Sequence, residues 1–292
     1  MKVYLTGANG QLGRAMNRTL SGDSVTIINT EAPGIAEKCG MQALDITDAD
    51  EVLRAMRAEK PDVIVNCAAY TAVDKQESDI DLSYRINAIG ARNLAIAARE
   101  TGARLAHVST DYVFDGRGTR PYLEFDKTGP VSVYGKTKHA GEEFVKMFAD
   151  RFYILRTAWL YGDGNNFVKT MLRLAETHDE VSVVHDQVGT PTSASELASA
   201  IRYLYTTDNY GIFHATCEGD CSWADFAEEI FSLAGKHTRV NRVSTAEYTA
   251  MNPQSAARPA YSILDNYMFR LTSDYRFADW HDAIRAYMED ET

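Results

Sequence analysis

The chain has 292 residues, of which 45% are hydrophobic and 24% are charged, an ordinary globular composition that excludes global disorder. Thirty Lys and Arg against 41 Asp and Glu give a formal net charge of −11. Because such a surface repels phosphate backbones, we expect no nucleic-acid partner. No stretch approaches the roughly 18 apolar residues of a membrane span, and the N-terminus lacks the apolar core of a secretory signal. These features predict a soluble, cytoplasmic protein without membrane contact.

Strand-like and helix-like segments alternate through the first 160 residues. The predicted strands cover residues 2–6, 25–29, 62–67, 104–110 and 152–159, and the predicted helices cover 11–20, 49–59, 82–101 and 132–148. Short apolar runs separated by helix-period segments are typical of βαβ units with a parallel sheet. The pattern predicts an α/β fold with a Rossmann-type doubly wound parallel sheet.

The alternation loosens after the Gly- and Asn-rich stretch at 161–166. Helices are predicted at 167–177, 195–205 and near 222–235, a strand at 181–185, a Pro- and Ser-containing loop at 252–259 and a helix at the end. We therefore predict a dinucleotide-binding domain over 1–165, which also takes in about 180–210. Residues 166–292 are predicted to form a smaller C-terminal α/β substrate lobe.

Glycines recur at the junction between the first predicted strand and the first predicted helix. Gly7, Gly10 and Gly13 form a G-x-x-G-x-x-G pattern. Glycine permits a tight turn and close approach of a pyrophosphate, and the helix N-terminus offers unpaired N–H groups to anionic oxygens. This turn predicts a dinucleotide site.

Tyr134 and Lys138 lie four residues apart at the start of a predicted helix, and therefore on one face. A neighbouring ammonium favours the phenolate and lowers the pKa of a tyrosine, which makes the pair suitable for proton transfer. Ser109 and Thr110 end the preceding strand, where open α/β sheets bind ligands. Either hydroxyl is a candidate to bind a substrate carbonyl.

These motifs resemble the extended short-chain dehydrogenase/reductases. Six further segments resemble one family within them, the dTDP-4-dehydrorhamnose reductases, at 68–74, 109–116, 133–142, 156–162, 164–167 and 186–192. The resemblance implies reduction of the C4 ketone of dTDP-6-deoxy-L-lyxo-4-hexulose to dTDP-L-rhamnose by NADPH or NADH. Two alternatives stay open: reduction of another nucleotide-linked 4-keto sugar, and a non-catalytic regulatory subunit with this fold.

The resemblance also implies roles for individual residues. Tyr134 would donate a proton, Lys138 would bind the nicotinamide ribose and tune the tyrosine, and Thr110 would bind the substrate carbonyl. The implied cofactor-binding residues are Gly7, Gly10, Gln11, Leu12, Gly13, Asn29, Thr30, Asp45, Ile46, Ala68, Ala69, Tyr70, Val108, Tyr134 and Lys138. The implied substrate-binding residues are Thr71, Val73, Thr110, Asp111, Trp159, Asn166, Gln187 and Arg258.

The choice between NADH and NADPH stays open on sequence grounds. Glu31 follows the second predicted strand and could accept a hydrogen bond from a free ribose 2′-hydroxyl, whereas Arg14 could reach a 2′-phosphate.

No bound metal is expected. Some members of the family bind magnesium through two glutamates, and Ala15 and Ser195 stand at those places here, with Glu196 one position away. Cys217 and Cys221 lack the second close ligand pair of a zinc site. A homodimer is left open by the resemblance, but a metal-linked one is not expected.

Overall fold

The computed structural model describes residues 1–290, which contain a seven-stranded parallel sheet and three two-stranded sheets. The strands are β1 (Lys2–Thr6), β2 (Thr26–Glu31), β3 (Gln42–Ala43), β4 (Val63–Asn66), β5 (Arg104–Thr110), β6 (Phe152–Thr157), β7 (Leu160–Tyr161), β8 (Glu180–Val184), β9 (Val188–Gly189), β10 (Thr192–Ser193), β11 (Gly211–His214), β12 (Cys221–Ser222) and β13 (Arg239–Val243). The large sheet has the order β11-β6-β5-β4-β1-β2-β3 with every neighbouring pair parallel. The predicted doubly wound sheet is confirmed.

Helices cover the sheet and build the C-terminal region. They are α1 (Gln11–Leu20), α2 (Pro33–Cys39), α3 (Ala49–Glu59), α4 (Val73–Gln76), α5 (Ile80–Tyr84), α6 (Gly90–Thr101), α7 (Val133–Phe148), α8 (Phe167–Ala175), α9 (Ala194–Tyr205), α10 (Trp223–Leu233), α11 (Thr245–Met251), α12 (Tyr267–Thr272) and α13 (Trp280–Asp290). A π-helical turn, Arg85–Ile89, joins α5 to α6. The predicted helix over 82–101 is therefore interrupted, and strand β6 ends two residues earlier than predicted.

The sheet separates two apolar cores because successive strand residues point to opposite faces. On β1, Val3 and Leu5 pack with α1 and α9, while Tyr4 packs on the other side with α3 and α6. The carboxyl ends of β1 and β4 lie side by side, and their connections leave in opposite directions along the sheet. That is the switch point where doubly wound sheets bind ligands.

A third core lies in the C-terminal region, where α8, α10 and α13 pack around aromatic side chains that include Tyr161, Phe226 and Trp280. The chain does not stay in this region after residue 165, because α9 packs on α1 and β11 extends the large sheet. The predicted division of the chain into two domains stays a prediction.

Over the described part of the chain, no helix has both the length and the apolar character needed to cross a membrane.

Candidate active site

The glycine turn is built for close approach of the backbone. Gly7 has φ of 64°, and a Cβ there would lie 2.7 Å from the backbone nitrogen of Ala68. A Cβ at Gly13 would lie 2.4 Å from the carbonyl oxygen of Gly7. Gly10 is the N-cap of α1 and carries no side chain that could cap the helix. The first-turn N–H groups of α1 are therefore available to anionic oxygens.

A cavity of about 410 Å³ opens beside this turn. Its lining includes eight of the residues predicted to bind the cofactor: Gly7, Gly10, Thr30, Asp45, Ile46, Ala68, Ala69 and Tyr70. Gln11, Leu12 and Gly13 form the first turn of α1, whereas Asn29 pairs its side-chain amide with that of Asn17 at 2.9 and 3.0 Å. A glycine cradle, a free helix N-terminus and an adjoining cavity fit a dinucleotide.

Lys138 lies on α7, against β5. It is 3% exposed, and its Nζ donates to the carbonyl oxygen of Val108 at 2.6 Å. Burial lowers the pKa of Lys138 to about 8, although the nearby carboxylate of Glu142 acts in the opposite direction. The ammonium uses one donor on β5, which leaves N–H groups for a ligand.

Tyr134 lies one helical turn before Lys138 on α7. Its half-buried ring packs edge-on against Tyr112, with ring centroids 5.3 Å apart. Burial raises the pKa of Tyr134 to about 12, opposed by a hydrogen bond with the Thr110 side chain. The pKa of Tyr134 is therefore raised rather than lowered as its spacing to Lys138 predicted, because burial dominates, and the resting tyrosine is a neutral phenol that holds a proton.

Thr110 ends β5 beside Asp111. Its hydroxyl donates to Asp111 Oδ1 at 2.8 Å and accepts from the backbone N–H of Tyr112 at 3.2 Å. Within the described residues, Asp111 Oδ2 is buried without a hydrogen-bond partner. Burial raises the pKa of Asp111 to about 6, despite the hydrogen bond from Thr110. The structure thus brings together the three predicted catalytic side chains and adds a buried acid.

A buried ion pair lies next to Lys138 and was not predicted from the sequence. Arg156 on β6 donates to both carboxylate oxygens of Glu142, at 2.9 and 2.7 Å. Burial alone would raise the pKa of Glu142, but the guanidinium of Arg156 holds it well below its ordinary value. The spacing of Lys138 and Glu142, one helical turn, was the available sequence signal.

Asn87 was also missed, because it lies in the π-helical turn that hydrophobic periodicity does not reveal. Its side chain accepts from the backbone N–H of Tyr70 at 2.8 Å and donates to the carbonyl oxygen of Tyr70 at 3.0 Å. The same amide donates to Thr137, which adjoins Lys138, at 3.1 Å. Asn87 therefore joins the wall of the cofactor cavity to α7.

A larger cavity, of about 690 Å³, lies in the C-terminal region. Gln187 and Arg258, both predicted to bind substrate, line it together with apolar and aromatic side chains that include Phe167, Val183 and Trp223. Gln187 also donates to the Thr245 hydroxyl at 3.1 Å. The lining suits a ligand with a flat, weakly polar part and a few polar groups.

Arg258 anchors the loop that closes this cavity. Its Nη2 lies 3.0 Å from a carboxylate oxygen of Asp74, and its Nη1 donates to the Ser255 hydroxyl at 2.6 Å. The backbone N–H of Ala256 also donates to Asp74, at 2.8 Å. The Arg258 side chain is 28% exposed.

The other predicted substrate residues have different surroundings. Trp159 has φ of 48°, a left-handed conformation uncommon outside glycine, and stacks on Trp223 with centroids 3.6 Å apart. Asn166 caps α8 by accepting from the N–H of Lys169. Thr71 is exposed and Val73 begins α4. These contacts give Trp159 and Asn166 structural partners in addition to any role toward substrate.

In the described part of the chain, no three His, Cys, Asp or Glu side chains are grouped so as to hold a metal ion. Cys217 and Cys221 are buried free thiols, and burial raises the pKa of Cys217 to about 12. Glu196 accepts from the backbone N–H of Ala278 at 3.1 Å. The expectation of a metal-free protein stays a prediction.

Comparison with known proteins identifies the family. The model of the RmlD substrate binding domain matches residues 1–292. A dTDP-4-dehydrorhamnose reductase from Clostridium acetobutylicum is 50% identical, with a TM-score of 0.93, covering 100% of this chain and 99% of that one. The reductase from Bacillus anthracis, solved in complex with NADP, is 41% identical with a TM-score of 0.92 and the same coverage. The spore coat polysaccharide biosynthesis protein SpsK of Bacillus subtilis is 39% identical, over 100% of this chain and 98% of its own length. The chain therefore belongs to the RmlD family, which includes the dTDP-4-dehydrorhamnose reductases.

Proposed function

We propose that the protein reduces the C4 ketone of dTDP-6-deoxy-L-lyxo-4-hexulose to dTDP-L-rhamnose with NADPH or NADH, the final step in making that activated sugar. The observation that carries the proposal is the grouping of Tyr134, Lys138 and Thr110 at the start of α7 and the end of β5. Lys138 follows Tyr134 by one turn of α7 and donates to the carbonyl oxygen of Val108 on β5. Tyr134 packs edge-on against Tyr112, whose backbone N–H donates to the Thr110 hydroxyl.

The bound nicotinamide would supply the hydride to the sugar C4. Tyr134 holds a proton at neutral pH and would donate it to the oxygen on which negative charge develops. The ammonium of Lys138 would hold the nicotinamide ribose and favour the phenolate left after proton transfer. Both groups lie on α7, so a single rigid helix fixes their spacing.

Thr110 has one hydroxyl proton, which goes to Asp111 in the absence of substrate. The same proton cannot serve a substrate carbonyl at the same time. Substrate binding would therefore redirect the hydroxyl from Asp111 to the carbonyl oxygen. Thr110→Ser keeps this donor and Thr110→Val removes it, so only the valine variant should lose much of its turnover.

Arg258 would bind the substrate diphosphate, since its planar fork suits phosphate oxygens. The neighbouring cavity of about 690 Å³, with Phe167 and Trp223 in its lining, would take the nucleotide base. With the sugar at Tyr134, the diphosphate at Arg258 and the base in this cavity, the substrate would be a nucleotide-linked sugar.

Turnover of the proposed substrate tests this function directly. NADPH or NADH absorbance is followed while upstream enzymes generate the keto sugar in place, and the product is identified as dTDP-L-rhamnose. Tyr134→Phe removes the proton donor and should lower kcat by about 10²- to 10⁴-fold. Near-wild-type kcat in this variant would refute the role of Tyr134.

The same assay separates the two alternatives. Turnover of UDP- or GDP-linked 4-keto sugars, but not the dTDP sugar, would indicate a different substrate. Cofactor binding without turnover of any of them would indicate a regulatory subunit. A cytoplasmic location and a homodimer belong to the proposal as well, and size-exclusion chromatography with light scattering tests the second.

A further inference from the structure

Asp74 connects the segment after β4 to the loop that lines the cavity of about 690 Å³. It is the second residue of α4 and directly follows Val73, one of the residues predicted to bind substrate. Its partners belong to the loop of residues 252–259, which follows α11. These partners are 182 and 184 residues away along the chain, so only the folded protein brings the two segments together.

The Asp74 carboxylate binds both the backbone and a side chain of this loop. Oδ1 accepts from the backbone N–H of Ala256 at 2.8 Å, and Oδ2 accepts from Nη2 of Arg258 at 3.1 Å. Within the loop, Nη1 of Arg258 donates to the Ser255 hydroxyl at 2.6 Å and to the carbonyl oxygen of Ala256 at 3.2 Å. The guanidinium is therefore held from both sides, by its own loop and by α4.

Residues 253–258 have few other attachments. Among the described residues, the hydrogen bonds from this stretch to segments outside the loop all go to Asp74. The chain is fixed again just beyond it, where the carbonyl oxygen of Ala260 accepts from Val188 at 2.9 Å and the N–H of Tyr261 donates to Gly116 at 3.1 Å. Without Asp74, hydrogen bonds would attach the stretch only at its two ends.

We propose that Asp74 is a positioning residue that holds Arg258 in place for the substrate diphosphate. The inference rests on the proposed function, in which Arg258 binds that group. A long side chain loses rotamer freedom when it binds a ligand, and contacts formed beforehand reduce this entropy cost. Asp74 would thus raise the affinity for substrate by acting through Arg258.

The negative charge of Asp74 has an effect of opposite sign, because it repels a diphosphate bound nearby. The Asp74 side chain is 52% exposed, so water and salt screen this repulsion. Freeing Arg258, in contrast, would require its side-chain torsions to be ordered again each time a ligand binds. We therefore expect loss of the Asp74 charge to weaken the binding of a nucleoside diphosphate.

The test is a double-mutant cycle on the dissociation constant of dTDP, measured by titration calorimetry with the full chain at one fixed ionic strength. Asp74→Asn keeps the size of the side chain and an acceptor for Ala256, but removes the charge and the acceptor used by Arg258. It should weaken dTDP binding about fivefold, and Arg258→Ala should weaken it about tenfold. Because Asp74 acts through Arg258, the double variant should lie within about twofold of Arg258→Ala, whereas independent effects would multiply to roughly fiftyfold.

Asp81→Asn is the matched control, because it removes the charge of an exposed carboxylate on the next helix, α5, by the same substitution. It should change the dissociation constant of dTDP by less than about twofold. Unchanged or tighter dTDP binding by Asp74→Asn would overturn the inference, as would losses that multiply in the double variant. If the wild type binds none of dTDP, UDP and GDP, the proposed function itself fails, which is a different result from binding that does not depend on Asp74.

Discussion

Replacing Glu142 with glutamine removes one charge from the buried pair behind the active site. Glu142 and Arg156 are 0% and 3% exposed and meet through two hydrogen bonds of 2.9 and 2.7 Å. The glutamine side chain would keep one acceptor for Arg156 but leave the guanidinium without a counter-charge. In the described chain, Arg156 Nη1 is already buried without a hydrogen-bond partner. The guanidinium would keep its cation–π contact with the Phe114 ring, 5.2 Å from the centroid, but that contact supplies no counter-charge.

Breaking a buried pair on one side costs about 3–5 kcal/mol of unfolding free energy, because it leaves an uncompensated charge in the interior. We expect that loss for Glu142→Gln in urea titration at pH 7. Glu143→Gln is the matched control on the same helix. Glu143 pairs with Lys146 at 2.5 Å, but their side chains are 48% and 38% exposed, so the expected loss is only about 0–1 kcal/mol.

The pH dependence of stability gives a second measure of the same pair. Arg156 keeps the pKa of Glu142 below its ordinary value of about 4.3. The pair therefore stabilises the wild type fully above that pH, and this contribution is lost as pH falls through the lowered pKa. Glu142→Gln should show a shallower loss of stability in acid. A loss below about 1 kcal/mol at pH 7, with an unchanged acid slope, would refute the assigned role of the pair.

Three further outcomes are expected. Because the pKa of Lys138 is about 8, kcat/KM should fall as pH rises through that value and the ammonium loses its proton, as a pH–rate profile would show. Arg258→Ala should raise KM for the nucleotide sugar with kcat less affected, whereas Arg285→Ala, at an exposed pair, should leave both unchanged. Gly13→Ala should destabilise the fold, because its Cβ would lie 2.4 Å from the carbonyl oxygen of Gly7. Gly10→Ala should destabilise it less, because its Cβ would lie 3.3 Å from the same oxygen. Thermal denaturation of the two variants would compare them.

Local patterns predicted the parts of the site that lie close together along the chain. The glycine turn and the spacing of Tyr134 and Lys138 each fit within one turn or one helix, so the sequence alone places their members side by side. Strand β5 and helices α1 and α3 have the predicted bounds, because the hydrophobic residues of each segment follow a clear pattern. In a doubly wound sheet a strand and the next helix along the chain are neighbours, so the end of β5 with Thr110 is expected beside the start of α7.

Contacts between distant segments could not be predicted in this way. Asp74 and Arg258 meet across 184 residues, through a loop whose path depends on the C-terminal region. Trp159 takes a left-handed backbone conformation that lets it stack on Trp223, and no local signal marks a tryptophan for that conformation. Short elements such as β11 were also missed, because four residues carry too little periodicity to separate a strand from a loop.

The charge distribution explains how a chain with a net charge of −11 can hold two ligands that each carry a diphosphate. On the cofactor side, the glycine turn offers backbone N–H groups in place of cations, so phosphate would be bound by fixed dipoles. On the substrate side, Arg258 is partly balanced by Asp74. Neither region therefore needs a cluster of cations, and the single guanidinium of Arg258 would be the main positive charge offered to the substrate diphosphate.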